Sequence, residues 1–296
     1  MTATSKPTTA NKAAAKKSAI KKTFDDLLLD LMNSPSEKIR YNAARMLGEL
    51  GDLTAVSHLI EVLKFDKNGS VRLYAARALG ELGDATATIP LIESLREDRN
   101  VDVRVRAARA LGRLGGEEVV IPLVEALSDS NSQVCMTAAD ALVEIGPIAS
   151  PPLVESLLSD KINVRCDAAR ALGELGDAAA VPALMNVLTD EWVNVRIYAV
   201  QSLGKLGDIL AVPSLIEVME NSEENDLVRA GAAASLGMLK DARALLPLRN
   251  LIMGAEELGE IEDTALKAYK MIMAANWKSV PGATAMKKNT PSAKKA

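Results

Sequence analysis

Aromatic residues, histidine and cysteine are scarce in this sequence. Only 3% of its 296 residues are aromatic, His58 is the single histidine, and Cys135 and Cys166 are the only cysteines. Two cysteines are too few for a disulfide framework, and a zinc-type centre needs further Cys or His ligands that the chain lacks. We therefore expect no metal site and no cofactor, and so few aromatic rings argue against a tetrapyrrole pocket.

Long apolar runs are also missing. No stretch approaches the ~18–20 apolar residues that span a bilayer. The lysine-rich N-terminus is not followed by the apolar segment of a secretory signal. We expect a chain without a membrane span, located in the cytoplasm.

Acidic residues are absent from both ends of the chain. Residues 1–22 carry six lysines and residues 277–296 carry five, with no Asp or Glu in either segment. Eleven of the 35 basic residues thus lie at the ends, which leaves 24 basic against 39 acidic residues, a net charge of −15, in residues 23–276. Because the ends have almost no apolar surface to bury, they are predicted to be disordered tails.

The sequence is rich in copies of one unit, best seen in "VRLYAARALGELGD" at residues 71–84. The copies begin at Ile39, Val71, Val103, Val134, Val164, Val195, Val228 and, as a degenerate half-copy, Ile261. Successive starts are 30 to 33 residues apart. A period of this size, held over seven full copies, predicts stacked supersecondary units.

Each copy has the pattern of two helices. Apolar residues from Val71 to Leu82 share one face of a 3.6-residue helix, and Gly83 stands where a helix commonly ends in a left-handed residue. A second apolar segment follows, in most copies with a proline close to its start, where a helix tolerates a missing N–H. No segment alternates with period two, so the fold is predicted to be all-α.

The unit D-x4-V-R-x-x-A-A-x-A-L-G-x-L-G-D runs through residues 24–273. It resembles the HEAT repeat, in the short bacterial and archaeal form that is also found in phycobilisome-lyase-like proteins. The resemblance implies an α-solenoid of about seven HEAT-like helix pairs over residues 23–276, between lysine-rich tails at 1–22 and 277–296. It is specific for the fold and says little about function, which lies in the sites that a fold carries.

HEAT repeats typically place an Asp in the turn within the repeat and an Arg early in the second helix. The matching residues here are Asp66 with Arg72, Asp98 with Arg104, Asp160 with Arg165, and Asp190 with Arg196. Because a guanidinium can bind two acceptors at once, the resemblance implies a structural ladder along the stack. Repeat 4 departs from the pattern, with Cys135 in place of Arg and Gly146-Pro147 in place of Gly-Asp, and repeat 3 ends in Gly115-Gly116. The boundary between repeats 3 and 4 is therefore expected to be irregular.

Positions two, three, six and ten residues after each repeat start point away from the buried face, and we name them the second-helix stripe. Second helices line the concave surface of HEAT arrays, so the resemblance makes this stripe the expected binding face. Its apolar members Leu73, Val105, Met136 and Ile197 are expected to be exposed. Aromatic residues, Met and Arg are enriched in interface cores. The candidate partner-binding residues are Tyr41, Arg45, Tyr74, Arg77, Arg106, Arg109, Arg113, Met136, Asp140, Arg170, Tyr198 and Gln201.

The stripe arginines have a second interpretation, because Arg45, Arg77 and Arg170 are each followed four residues later by Glu. Such a pair can serve only to solubilise its own helix, which it stabilises by ~0.2–0.5 kcal/mol. This interpretation does not apply to repeat 3, because Arg113 stands at the position of that Glu. Arg106, Arg109 and Arg113 therefore have no acidic residue in their own stripe.

These observations favour a non-catalytic scaffold, adaptor or assembly factor that binds a protein or peptide with an acidic segment. An alternative is an enzyme or chaperone similar to the phycobilin lyases, which act on bilin-carrying antenna proteins, although their helices are richer in aromatics. A third is a nucleic-acid-associated protein acting through the basic tails, which the net charge of −15 opposes. Deoxyhypusine hydroxylases hold iron with repeated His-Glu pairs, and the chain has none of these pairs.

Overall fold

The computed structural model describes residues 22–254 and 259–276. The predicted tails, 1–22 and 277–296, lie outside this range except for Lys22, which forms an ion pair with Asp30. The described residues form α-helices and short 3-10 turns, with no strand among them, which confirms the all-α prediction.

The chain divides into two compact units after Leu114. The described part of unit 1 contains six helices: α1 (Phe24–Asn33), α2 (Glu37–Leu50), α3 (Val56–Phe65), α4 (Gly69–Leu82), α5 (Thr88–Glu97) and α6 (Val101–Leu114). The described part of unit 2 contains ten: α7 (Val120–Ala126), α8 (Ser132–Ile145), α9 (Ser150–Ser156), α10 (Ile162–Leu175), α11 (Val181–Asn186), α12 (Val193–Leu206), α13 (Val212–Glu220), α14 (Asp226–Leu239), α15 (Leu245–Gly254) and α16 (Glu260–Asn276).

Each unit consists of two layers of helices. In unit 1 the second helices α2, α4 and α6 pack side by side, and each also packs on the first helix that precedes it. Unit 2 repeats the arrangement, with α8, α10, α12, α14 and α16 in one layer. Stacked helix pairs of this kind are the architecture of an α-solenoid, in which each pair buries its apolar face on its neighbours.

The second helices from α2 to α14 have the same length, 14 residues each. Some repeats are one or two residues shorter than the others, and the difference lies in their first helices. There, α7 and α9 have seven residues and α11 has six, whereas α3 and α5 have ten. The variation in period therefore falls on the first helices and their turns, and the register of the second helices is kept.

The ends of the helices follow the local sequence. Gly83 ends α4 at φ 70°, a left-handed conformation that glycine adopts without a steric penalty. The next residue, Asp84, starts the following 3-10 turn, where its side chain accepts a hydrogen bond from the backbone N–H of Thr86 at 2.8 Å. The proline that most copies carry near the start of the first helix lies in its first turn, as Pro90 does in α5.

An earlier glycine of the motif has a different role from the helix-end punctuation that its sequence suggests. Gly80 lies inside α4, and a Cβ built on it would stand 2.7 Å from the Cβ of Ala110 in α6. Gly48 meets Ala78 in the same way at 2.8 Å. The small residues let neighbouring second helices approach closely, which sets their spacing in the layer.

The irregularity expected between repeats 3 and 4 has a local counterpart in the backbone. Gly116 has φ 95° and ψ 157°, and Gly146 has φ 94° and ψ −155°. Both conformations are essentially restricted to glycine, and they differ from the left-handed glycine that ends α4.

Candidate functional site

In several repeats the arginine that follows the repeat start bridges two successive turns. In unit 1, Arg72 donates from Nε and Nη2 to the two carboxylate oxygens of Asp98, both at 2.7 Å, and from Nη1 to the backbone carbonyl of Asp66 at 2.8 Å. The side chains of Arg72 and Asp98 are 16% and 7% exposed. A planar guanidinium fits this bidentate pairing, so each such arginine ties its own turn to the turn of the next repeat.

The same geometry recurs along the units, with partners that the sequence alone did not identify. The carboxylate of Asp66 is bound by Arg40 of the preceding repeat, which was not a predicted ladder residue. Arg165 pairs with Asp190, and Arg196 pairs with Glu224, another residue that was not predicted. The sequence did contain a signal for Arg40 as a ladder residue, because Arg40 directly follows its repeat start as Arg72 does. The partner lies one repeat further along the chain, which only the stacking of the helices reveals.

Two carboxylates of these pairs, those of Asp66 and Glu224, have a lowered pKa and ionise more readily than usual. Burial alone would raise the pKa of Asp66, but its hydrogen bonds with the Arg40 side chain and the backbone of Asn68 outweigh burial and hold the pKa below its ordinary value. The pKa of Glu224 is lowered in the same way, against the effect of burial, by Arg196. A lowered pKa means that the charged form is stabilised in the folded chain.

One rung is built differently in unit 2. Cys135 occupies the arginine position, and its thiol lies 3.2 Å from the backbone carbonyl of Asp129, the equivalent of the carbonyl that Arg72 binds. Ser159 occupies the next Asp position, since its carbonyl accepts from Arg165 at 2.8 Å. The predicted ladder residue Asp160 is therefore one residue out of register. The rung that would join the Cys135 position to the side chain at Ser159 has neither the arginine nor the aspartate of the other rungs.

The candidate residues of the second-helix stripe all reach the surface to some extent. Arg109, Arg113, Met136, Asp140 and Gln201 are exposed. The partly exposed members are Tyr41, Arg45, Tyr74, Arg77, Arg106, Arg170 and Tyr198.

The expectation that Val105 is exposed is wrong, because only 5% of this residue is accessible. Leu73 and Ile197 are half-buried. A second helix such as α4 packs on the second helices on both of its sides, so positions two and three residues after the repeat start fall partly into these contacts. Met136 is 56% exposed, as expected.

Two stripe tyrosines of unit 1 touch each other. The rings of Tyr41 on α2 and Tyr74 on α4 are stacked, with centroids 5.2 Å apart and planes inclined by 20°. They form an aromatic platform across two repeats, next to the helix turn that carries Arg77.

Several stripe arginines are paired with carboxylates. Arg45 binds Glu49 at 2.6 Å and Arg77 binds Glu81 at 2.7 Å, each four residues further along the same helix. In unit 2, Arg170 binds Asp140 at 3.0 Å and Glu174 at 3.1 Å. These arginines have the local pairs that the second interpretation predicted.

The three arginines of α6 are arranged differently. Arg106, Arg109 and Arg113 form no ion pair with any residue that the structure describes. Together with Arg77, Glu81 and Ala110 they line a cavity of about 170 Å³ between α4 and α6. Unit 1 therefore presents a group of three unneutralised guanidiniums, which we name the α6 arginine group.

Neither cysteine has the properties of a nucleophile. Burial, followed by the negative charge of Asp167, raises the pKa of the Cys166 thiol to about 11, and burial also raises the pKa of Cys135. A thiol with a raised pKa is almost fully protonated near neutral pH and reacts slowly.

Within residues 22–254 and 259–276, no three His, Cys, Asp or Glu side chains cluster closely enough to hold a metal ion. None of the helices in this part of the chain is both long and apolar enough to cross a membrane.

Several solved structures are similar to this chain at low sequence identity. A complex of Kap95p with RanGDP matches with a TM-score of 0.63 and 13% identity, covering 91% of this chain and 43% of that chain. Human deoxyhypusine hydroxylase matches with a TM-score of 0.39 and 23% identity, covering 90% of this chain and 99% of its own. The CpcE–CpcF complex of phycocyanin lyase from Nostoc matches with a TM-score of 0.43 and 24% identity, over 85% and 95% of the two chains. Of these three structures, the Kap95p complex alone has a TM-score above 0.5, and its similarity supports the fold of this chain and nothing further.

No curated protein shows significant sequence similarity to this chain. The family model described as HEAT repeats matches four overlapping segments, residues 26–100, 88–162, 150–237 and 195–270. These matches cover most of the chain and coincide with the stacked helix pairs, so the chain belongs to the HEAT-repeat family.

Proposed function

We propose that this protein is a non-catalytic scaffold, adaptor or assembly factor that binds a protein or peptide partner through its second-helix stripe. The α6 arginine group is the centre of the site in unit 1, and the partner segment is acidic. The observation that carries this proposal is the absence of carboxylate partners for Arg106, Arg109 and Arg113 among the described residues, whereas Arg45 and Arg77 each have one.

The stacked tyrosines provide the apolar part of the same surface. Tyr41 and Tyr74 are partly exposed and held in place by their stacking, and rigid aromatic rings offer large contact area at a low entropy cost. A partner with an acidic segment next to apolar side chains would match both features of unit 1.

The test is capture of the partner from native lysate with all three arginines of the α6 group changed to Glu. Exposed substitutions usually cost little stability, so helicity measured by circular dichroism should be unchanged. Capture should be lost, because like charges placed opposite each other cost several kcal/mol. Arg45→Glu with Arg77→Glu is the control and should weaken capture less. Equal capture by the triple variant and the unchanged protein would place the site elsewhere.

The enzymatic alternative has its own test. A protein that acts on bilin-carrying partners as a lyase or chaperone should change the absorbance spectrum of a free bilin on mixing. We expect no change, because the described helices carry few aromatic side chains that could enclose a tetrapyrrole. A stoichiometric spectral shift would favour the enzymatic alternative over the scaffold.

A further inference from the structure

The cavity of the α6 arginine group is too small for a whole ligand. Its volume is about 170 Å³, whereas sites for drug-sized molecules usually measure about 300–1,000 Å³. The space fits one chemical group at the end of a side chain. Arg77, Arg106, Arg109 and Arg113 form its walls, with Glu81 as the only acidic lining residue.

One lining residue of the cavity, Ala110, lies where α4 and α6 approach each other closely. Ala110 lines the cavity, and a Cβ on Gly80 would stand 2.7 Å from the Ala110 Cβ and 2.9 Å from its Cα. Only very small residues are compatible with this approach of the two helices. Neither Gly80 nor Ala110 can therefore be replaced by an acidic side chain that could neutralise the arginines.

The charge balance of the cavity favours a dense anion over a single carboxylate. Glu81 is bound to Arg77 at 2.7 Å, so this pair neutralises itself and the α6 arginine group contributes three further positive charges. In unit 1 the stripe arginine Arg45 is paired with a single carboxylate, that of Glu49. One partner carboxylate would leave two of the three α6 guanidiniums without a counter-charge.

We propose that the cavity binds the phosphate of a phosphorylated side chain in the partner segment, an inference that rests on the proposed function of the stripe. A phosphorylated side chain carries a charge of about −1.5 to −2 at neutral pH and three strong acceptor oxygens. Several guanidiniums can bind these oxygens at once, each through two parallel N–H groups. The phosphate would occupy the cavity, and apolar neighbours in the partner would contact the stacked rings of Tyr41 and Tyr74.

The test is titration calorimetry of the full chain with a short synthetic peptide in which one phosphoserine is flanked by leucines. The same peptide with Glu and with unmodified Ser in that position provides the comparison. The phosphopeptide should bind at least about tenfold more tightly than the Glu peptide, a difference of about 1.4 kcal/mol. The variant with Arg106→Gln, Arg109→Gln and Arg113→Gln should lose this preference. A control with Lys38→Gln, Lys67→Gln and Arg99→Gln removes the same charge from exposed positions of unit 1 outside the stripe and should keep the preference.

Equal affinity for the phosphopeptide and the Glu peptide would overturn the inference, and so would a preference that survives in the triple Gln variant. A short oligothymidylate that competes as well as the phosphopeptide would assign the cavity to nucleic-acid phosphates and overturn it too. Phosphatase treatment of the lysate separates this inference from the proposed function. If capture needs the α6 arginine group but not phosphorylation, the phosphate inference is refuted and the proposed function stands. If capture needs neither, both the phosphate inference and the proposed function are refuted.

Discussion

Arginine has two roles in this chain, and the acceptors within its reach decide which one applies. Arg72 follows a repeat start, is largely buried, and has Asp98 and a backbone carbonyl at hydrogen-bonding distance. Arg109 lies six residues after its repeat start, is exposed, and has no carboxylate beside it in the described chain. Arginines such as Arg72 therefore stabilise the stack, whereas arginines such as Arg109 are available to a partner.

Changing Arg72 to Gln should destabilise the protein. The Asp98 carboxylate is 7% exposed and would lose both of its charge-assisted hydrogen bonds with Arg72. We expect a loss of about 2–3 kcal/mol in the free energy of unfolding, measured with urea, from hydrogen bonds of this kind. Arg45→Gln removes an exposed pair instead and should cost about 0.2–0.5 kcal/mol. Equal effects of the two substitutions would show that the turn pairs do not stabilise the stack.

The turn carboxylates should make the protein sensitive to acid. The folded-state pKa values of Asp66 and Glu224 lie below their ordinary values, which in unfolded chains are about 3.9 for Asp and 4.3 for Glu. Their contribution to stability is therefore fully present above about pH 4.3 and is lost as the pH falls through the folded pKa values. The urea midpoint should fall between pH 5 and pH 3, and less steeply in the Asp66→Asn, Glu224→Gln variant. An identical pH dependence in both proteins would contradict the pairing.

At the scale of the helix, the sequence predicted what depends on local residues. Gly83 and Pro90 fixed the end of one helix and the start of the next because their backbone preferences act within the segment. The packing role of Gly80 is not visible in the sequence for the opposite reason, since its missing side chain matters only against Ala110 of another helix. Val105 was misjudged for the same reason, because helical periodicity does not show which flank a neighbouring helix covers.

The close approach of the second helices can be tested by exchanging the two residues that meet. Gly80→Ala would ordinarily stabilise a helix by about 1 kcal/mol. Here the new methyl group would overlap Ala110, so we expect a net destabilisation of about 1–3 kcal/mol from overpacking. Adding Ala110→Gly should recover part of the loss in thermal unfolding. A higher melting temperature for Gly80→Ala alone would show that the helices can separate at no cost.

At the scale of the whole molecule, the repeat is the unit of stability. Within each unit the second helices pack on their neighbours in the layer, and turn arginines such as Arg72 bind their own turn and the next one. The same kinds of contact therefore recur along each unit, with the rung at Cys135 as an exception. Stability in such arrays is close to a sum of repeat and neighbour contributions.

Removing one full period should accordingly leave a folded protein. Deletion of residues 71–102 removes Arg72 and Asp98 together, keeps the pair of Arg40 with Asp66, and brings Arg104 to the position of Arg72. We expect helical circular dichroism and a cooperative melt. Deletion of residues 71–86, half that length, joins unlike helices and should expose apolar faces. If both deletions melt alike, the repeat register is wrong.

The central claim, that the partner binds the second-helix stripe of unit 1, is tested most directly by photo-crosslinking. A benzophenone-bearing phenylalanine placed at Tyr74 reports on the stripe, and the same residue placed at Phe65, which is 76% exposed on a first helix, reports on the other layer. Irradiation in native lysate should give a discrete adduct from position 74 and none from position 65. The adduct should disappear when Arg106, Arg109 and Arg113 are changed to Gln. An adduct from position 65 with none from position 74 would contradict the claim.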